Sequence, residues 1–188
     1  ALTSTPSTSR LQGTTARPLY IANNPYADLD WVYYQNPQGQ QCRGKYLEPQ
    51  FPVMGDEHLE NPPLFLEAEQ SSTVLGGLTQ LQGGVNIRQG SRRLQSTSAE
   101  LDQITNKALL EGNVRFREPG LLVLSDQAEI NTSTSEGIFN DARYVLHEDG
   151  FRGSARRIIR LEDERLRFEQ GDYTYCPPDS EAWQLDAD

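Results

Sequence analysis

The sequence has little of what metal centres, redox sites and membrane-spanning helices require. Only two cysteines, one methionine, two tryptophans and two histidines occur among its 188 residues. Neither cysteine stands in a Cys-x-x-Cys pair or near a histidine, which argues against zinc. No apolar run approaches the roughly 18 residues that indicate a spanning helix. The first residues, Ala-Leu-Thr-Ser-Thr-Pro, also lack the charged and apolar regions of a signal peptide.

Positive charge is also scarce. The chain has 17 Lys and Arg against 27 Asp and Glu, so its formal net charge is −10. On average such a surface repels nucleic acids and anionic bilayers, and no nucleic-acid partner is expected. If the chain binds an anionic glycolipid, we expect it to hold the apolar part rather than the phosphates. Its length suits one domain with a core that folds without metals or disulfides.

Enzyme motifs are missing as well. The sequence contains no G-x-S-x-G, no H-E-x-x-H and no phosphate loop. His58 and His147 are both flanked by acidic residues, and we interpret them as exposed turn residues rather than as metal ligands or general bases. We therefore expect no enzyme activity, no cofactor and no bound metal. A polysaccharide lyase on a β-helix stays an alternative, because carboxylate pairs are plentiful in any acidic chain.

Composition divides the chain into three segments. Residues 1–63 are predicted to be a loop-rich N-terminal extension, which contains Cys42 and several prolines that disfavour helices and central strands. In residues 64–176 apolar and polar side chains alternate between Gly, Asn, Asp and Ser, which is typical of half-buried β-strands. Residues 177–188 are predicted to be a linker.

The alternation assigns a set of apolar side chains to one inward face of the predicted sheet. These residues are Leu66, Val85, Ile87, Leu101, Val114, Phe116, Leu124, Ile130, Ile138, Leu146 and Phe168. Arg115 and Glu129 are assigned to the outward face. For each inward residue, structural core is the alternative to contact with a ligand.

Two series of similar segments recur at nearly constant spacing. The first series consists of Val85, Val114, Arg143 and Tyr173, with steps of 29, 29 and 30 residues. The second consists of Ala68, Ala99, Ala128 and Ala155, with steps of 31, 29 and 27. Each repeat carries two strand signals and two turns. A single such hairpin cannot bury its apolar face, so the repeats must stack.

The repeat resembles the OstA-like jellyroll repeat of lipopolysaccharide-transport proteins. The resemblance covers about residues 64–175 and rests on an Ala-Glu strand and a Gly-Asn-Val-x-Phe strand, the latter at residues 112–116. Two further features are similar to the N-terminal periplasmic domain of the family's outer-membrane assembly member. They are the early Cys42 and the stretch from Tyr173 to Trp183, in which two prolines follow Cys176. The resemblance implies an all-β fold, an open V-shaped jellyroll of stacked antiparallel strands with an irregular N-terminal segment.

The resemblance also implies a function in lipopolysaccharide transport and outer-membrane assembly, on the periplasmic side of the outer membrane of a Gram-negative envelope. The jellyroll would receive lipopolysaccharide from a periplasmic bridge protein of the same fold. That protein would dock by edge-strand augmentation around Leu64–Glu69 or Gly84–Arg88. The acyl chains would pass along the inward residues to a C-terminal β-barrel, which has a plug lipoprotein. The bridge protein itself and a structural β-solenoid are the alternatives.

Cys42 and Cys176 allow three states: free thiols, a bond between them, or bonds to cysteines outside this chain. An oxidising periplasm would favour disulfides. The resemblance implies the third state, with both cysteines bonded to the C-terminal barrel.

A run of arginines near the C-terminal end is mixed with acidic residues. The arginines are Arg152, Arg156, Arg157, Arg160, Arg165 and Arg167, and the acids are Glu162, Asp163, Glu164 and Glu169. We predict cross-strand ion pairs on a solvated face rather than a site for lipid phosphates.

Overall fold

The computed structural model describes residues 17–19, 21–35, 44–59, 62–180 and 184–187. These residues form thirteen β-strands and one 3₁₀ turn, Ala27–Leu29. The strands are β1 (Arg17–Leu19), β2 (Trp31–Gln35), β3 (Gly44–Tyr46), β4 (Leu64–Glu67), β5 (Gln70–Thr73), β6 (Leu78–Gln89), β7 (Arg92–Asp102), β8 (Lys107–Glu118), β9 (Leu121–Asn131), β10 (Gly137–Leu146), β11 (Phe151–Arg160), β12 (Leu166–Tyr173) and β13 (Leu185–Ala187). No helix in this part of the chain has the length and hydrophobicity needed to span a bilayer.

Ten of the strands form one antiparallel sheet. Their order is β13-β12-β11-β10-β9-β8-β7-β6-β4, and β5 pairs with the other half of β6. Consecutive strands are neighbours because short turns join them, as at Gly90 and Gly120, whose positive φ angles suit tight hairpins. The sheet has two free ends and does not close into a barrel. The prediction of an open all-β fold is confirmed.

The long strands bend near their middle. In β6, β8, β10 and β12 the bend falls at residues with positive φ, namely Gly83, Gly112, Asp141 and Gln170, which lie 29 positions apart. The pairing of β6 with β7, of β7 with β8 and of β8 with β9 shifts register at the same level, as expected of β-bulges. At Gly112 a Cβ atom would lie 2.7 Å from Thr97 Oγ1, so a larger residue would not fit. The repeat spacing in the sequence therefore marks these bends.

The bends divide the sheet into two arms. The first arm comprises residues 78–82, 98–102, 107–111, 127–131, 137–140, 157–160 and 166–169. The second arm comprises residues 85–89, 92–96, 114–118, 121–125, 142–146, 151–155 and 171–173. The arms face each other, because Phe116 packs on Phe139 across the interior with ring centroids 5.2 Å apart. Tyr144 and Phe168 make a similar contact at 4.5 Å.

A second, three-stranded sheet of β1, β2 and β3 covers the outer face of the second arm. Trp31 and Tyr46 of this sheet, together with Leu29 of the 3₁₀ turn, pack against Leu122 and Val145. The sequence predicted an irregular segment here, but a packed small sheet is present. Near the other end, β13 pairs with β12 inside the stretch that was predicted to be a linker.

Candidate functional site

Apolar side chains from both arms fill the interior of the V. Of the residues predicted to face inward, eight belong to this cluster or pack against it: Val85, Ile87, Leu101, Val114, Phe116, Ile130, Leu146 and Phe168. The cluster also contains residues that the sequence analysis did not single out, among them Leu110, Val123 and Ile158, which are fully buried. The interior is therefore a packed apolar layer between the arms.

Leu124 lies on the opposite face, so the prediction that it faces inward is wrong. It packs beneath the small sheet in the cluster of Leu29 and Trp31. The cause is a change of face within β9, where Asp126 and Gln127 are both exposed in succession. Strict alternation cannot reveal such an irregularity, and Val123 rather than Leu124 takes the inward position.

Two other residues that were predicted to face inward do not lie in the interior. Ile138 lies between the buried Gly137 and Phe139, and Phe139 occupies the inward position, so Ile138 faces outward. Leu66 lies opposite Ile87 at the edge of the sheet, where its side chain is 40% exposed. Leu66 therefore borders the interior instead of lying within it.

Charged side chains bridge the tips of the two arms. Arg160 at the end of β11 lies on the first arm, and its Nε is 3.0 Å from Glu118 Oε2 on the second. Arg92 of the second arm reaches back, with its Nη2 2.8 Å from Glu164 Oε1 in the β11–β12 turn. Both arginines donate to Ser135 in the β9–β10 turn, Arg160 to its carbonyl and Arg92 to its hydroxyl. We call Arg92, Glu118, Arg160 and Glu164 the tip network.

The prediction that Arg160 belongs to a solvated face is wrong. Its residue is 1% exposed, because its side chain points inward between the arm tips. Arg157 forms an exposed cross-strand ion pair with Glu169, as predicted. Arg165 also forms an exposed ion pair, but its partner Asp163 lies within the same β11–β12 turn rather than on a neighbouring strand. The burial of Arg160 could have been inferred from the sequence, because this arginine occupies an inward position in an otherwise apolar alternation.

A small cavity of about 70 Å³ lies behind the tip network. Leu94, Phe116 and Phe139 contribute to its apolar lining, and Arg92 and Arg160 contribute to its polar rim. Sites for small ligands usually have volumes of about 300–1,000 Å³. The apolar interior behind the tip network is therefore closely packed in this structure.

An ion-pair cluster fastens the small sheet to the second arm. Arg117 donates two hydrogen bonds to the carboxylate of Asp30, at 2.5 and 2.7 Å, and His147 Nε2 lies 3.0 Å from Asp30 Oδ2. Burial alone would raise the pKa of Asp30, but hydrogen bonds and charge from His147 and Arg117 outweigh it and hold that pKa below its ordinary value. The prediction of an exposed His147 is wrong, whereas His58 is exposed.

The strand β4 leaves an apolar edge at one end of the sheet. Leu64, Phe65 and Leu66 are each at least 40% exposed, and β4 is the last strand in the order. Exposed apolar side chains on an edge strand are typical of a surface that recruits another strand. The other predicted docking segment, Gly84–Arg88, offers little free edge because residues 86–88 pair with both β4 and β7.

Of the two cysteines, the structure describes only Cys176. It is buried just after β12, and its backbone N–H donates to Thr174 Oγ1 at 3.0 Å. Cys42 and Trp183 lie outside the described residues. The disulfide assignment therefore stays a prediction.

Comparison with known proteins identifies similar sequences, although no family model matches the chain. The chain is 37% identical over 169 residues to the LPS-assembly protein LptD of Pseudomonas savastanoi pv. phaseolicola. It is 36% identical over 178 residues to the protein of that name in Pseudomonas putida strain W619. These matches cover 85% and 90% of this chain but 18% and 19% of the relatives, so the chain spans about a fifth of their length.

A solved structure with a similar fold is LptH of Pseudomonas aeruginosa, described as the LptA-homologous periplasmic component of the lipopolysaccharide transport device. The TM-score is 0.52 at 14% identity, and the match covers 62% of this chain and 85% of that chain. At this identity the likeness shows the fold alone. The ten-stranded sheet is thus an LptA-like jellyroll, as predicted.

Proposed function

Because this chain belongs to the LptD family of LPS-assembly proteins, we propose that it is the jellyroll that carries lipopolysaccharide through the periplasm to the outer membrane. The observation that carries the proposal is the apolar interior between two arms of an open sheet. With a net charge of −10, the chain holds this cargo by its acyl chains. The partners would be a bridge protein of the same fold, a C-terminal β-barrel and its plug lipoprotein. The identity to LptD, compared with 14% to LptH, favours this assignment over the bridge protein.

The packed interior suits a carrier that must also release its cargo. Each buried methylene contributes about 0.8 kcal/mol, so several acyl chains could gain a large transfer free energy. When the arms separate, however, the contacts that their own side chains make across the interior are lost and acyl chains replace them. The net binding free energy is the transfer free energy of the acyl chains minus the free energy of the lost contacts between the arms. Because these two quantities offset each other, each lipid is bound weakly enough to be released. No enzyme activity is proposed, and the names of the relatives describe assembly and transport.

The face that contacts lipid can be tested with two neighbouring buried residues. A photo-crosslinking amino acid at Val123 or Phe116 should capture lipopolysaccharide in cells, because both side chains face the interior. The same amino acid at Leu124 should not, because Leu124 is buried beneath the small sheet on the other face. The exposed-face control is Glu129, which is exposed on β9. Capture is measured by an anti-lipopolysaccharide blot.

Equal capture at Val123 and Leu124 would contradict the proposal. Capture at neither residue, in a correctly folded protein, would instead favour a structural β-solenoid with a permanently closed core.

The docking edge can be tested by single proline substitutions in β4. In an antiparallel pair, successive residues direct their N–H groups alternately toward the partner strand and away from it. Of the adjacent residues Phe65 and Leu66, one therefore directs its N–H toward β6 and the other toward solvent. Proline removes that donor. The variant that removes the N–H directed toward solvent should lose binding of the purified bridge protein without losing stability.

The two variants serve as controls for each other. The variant that removes the N–H directed toward β6 should mainly lower the thermal midpoint. Binding is measured by surface plasmon resonance and stability by circular dichroism. Docking that survives in both variants would show that the bridge protein does not add a strand at β4.

A further inference from the structure

The outer face of the second arm carries a row of arginines near the β4 edge. Arg88, Arg93 and Arg117 are direct cross-strand neighbours on β6, β7 and β8. Arg115 lies two positions before Arg117, so it is diagonal to Arg93. Like charges directly opposite one another destabilise a sheet, and the rest of this chain is strongly acidic. Such a row calls for a ligand or for carboxylate partners.

Two of the four arginines have carboxylate partners. Arg88 pairs with Asp56 at 2.8 Å, and Arg117 pairs with Asp30. Within the described part of the chain, Arg93 and Arg115 form no ion pair and no side-chain hydrogen bond. The guanidinium of Arg93 lies 4.3 Å from the centre of the Phe51 ring. This stacking fixes the plane of the group and leaves the N–H donors on its edge available.

Arg115 is only partly exposed. Burial, and then the neighbouring charge of Arg117, lower the pKa of Arg115 below its ordinary value, and the carboxylates of Asp30 and Asp28 offset this lowering only in part. A bound anion would oppose both effects.

The four arginines line one pocket of about 480 Å³, a volume within the range of ordinary ligand sites. Phe51, Met54 and Phe65 add apolar surface to the same pocket. Glu67 is the single carboxylate among the described residues that line it. The pocket thus combines positive charge that is only partly neutralised with an apolar wall.

We propose that this arginine pocket binds a phosphate group that is attached to an apolar body. Two guanidinium groups on adjacent strands can converge on one anion that has several acceptor oxygens, and Arg is well suited to bidentate contacts with phosphate. The aromatic wall would contact the apolar part of the ligand. The arginines lie on the opposite face of the second arm from the apolar interior, although Ile87 and Leu94 of the interior also contribute to the pocket lining. The average charge predicted that phosphates would be avoided, and this local row is the exception.

The test uses the whole chain and octyl phosphate, titrated by isothermal calorimetry. Octyl phosphate should bind, and octyl glucoside, which has the same tail without the charge, should not. Inorganic phosphate should bind more weakly than octyl phosphate. The double variant Arg93→Gln/Arg115→Gln should lower the affinity at least about tenfold, because it removes the two guanidinium groups that have no carboxylate partner. The matched control is Arg156→Gln/Arg167→Gln, which removes the same charge from exposed positions on β11 and β12.

Several results would overturn the proposal. Equal weakening by both double variants would show general electrostatic attraction, and tighter binding of inorganic phosphate would show a site for a free anion. Lipopolysaccharide and its dephosphorylated form, compared on the wild type and on Arg93→Gln/Arg115→Gln, distinguish a cargo phosphate from other phosphorylated amphiphiles. A lower thermal midpoint in that variant would mark the two arginines as structural, because relief of like-charge repulsion should leave the midpoint unchanged or raise it.

Discussion

Replacing Asp30 with asparagine should detach the small sheet from the second arm and lower the free energy of unfolding by about 3–5 kcal/mol. The carboxylate of Asp30 accepts both hydrogen bonds of Arg117 and also contacts His147. Its removal leaves the Arg117 charge buried without a counter-ion, which is the costly way to break a buried pair. Urea unfolding measures the loss, and hydrogen exchange should locate it in β2 and β3.

The control is Asp28→Asn. Asp28 pairs with Arg143 beside the same small sheet, but both side chains of this pair are exposed. Its loss should therefore cost less than about 1 kcal/mol. A similar effect from the two variants would mean that Asp30 is not what holds the small sheet in place.

The same substitution should change how stability depends on pH. The pKa of Asp30 in the folded protein lies below its ordinary value, so its contribution is present above the unfolded pKa of about 3.9. The contribution is lost as the pH falls through the lower folded pKa. The difference in unfolding free energy between wild type and Asp30→Asn should accordingly shrink below about pH 4.

The second large effect should come from Arg160→Met, which breaks the tip network. The substitution keeps most of the apolar side-chain volume but removes the charge that Glu118 and the Ser135 carbonyl now satisfy. We expect a loss of about 1–3 kcal/mol in unfolding free energy, because the largely buried Glu118 keeps only its longer contact with Arg92, at 3.7 Å. We also expect the arms to separate more readily, so that lipopolysaccharide crosslinking at Phe116 rises while stability falls.

Opposite changes in stability and capture distinguish a gate from a simple structural contact. Arg165→Met is the matched control, because Arg165 forms an exposed pair with Asp163 away from the interior and should change neither quantity. If capture at Phe116 falls together with stability in Arg160→Met, the tip network does not restrict access to the interior.

The sequence predicted the strands of the jellyroll well, because period-2 alternation reports directly which side chains a sheet buries. It failed where a strand changes face without a signal in composition. Leu124 and Ile138 are apolar residues in good alternation, yet Val123 and Phe139 take the inward positions. The change of face in β9 falls at the register shift between β8 and β9, which only the pairing of the strands reveals.

The predictions for charged residues failed for a different reason. The burial of these residues depends on contacts with residues that are distant in the sequence. Arg160 is buried by Glu118, 42 positions away, and His147 by Asp30, 117 positions away. Local composition placed both on the surface. The small sheet was missed because its strands β1 and β3 have three residues each, too few to show a period.

The small sheet gives the two arms unequal thickness. Over β8, β9 and β10 it adds a second layer behind the second arm, whereas in the described part of the chain no segment packs behind the first arm. If the two arms separate to admit a lipid, the first arm, which has a single layer, should move while the second arm, which has two layers, keeps its shape. The cargo would then slide between a fixed wall and a compliant one. Under the proposed function, such a duct would accept acyl chains of different number and length without disturbing the wall against which the small sheet packs.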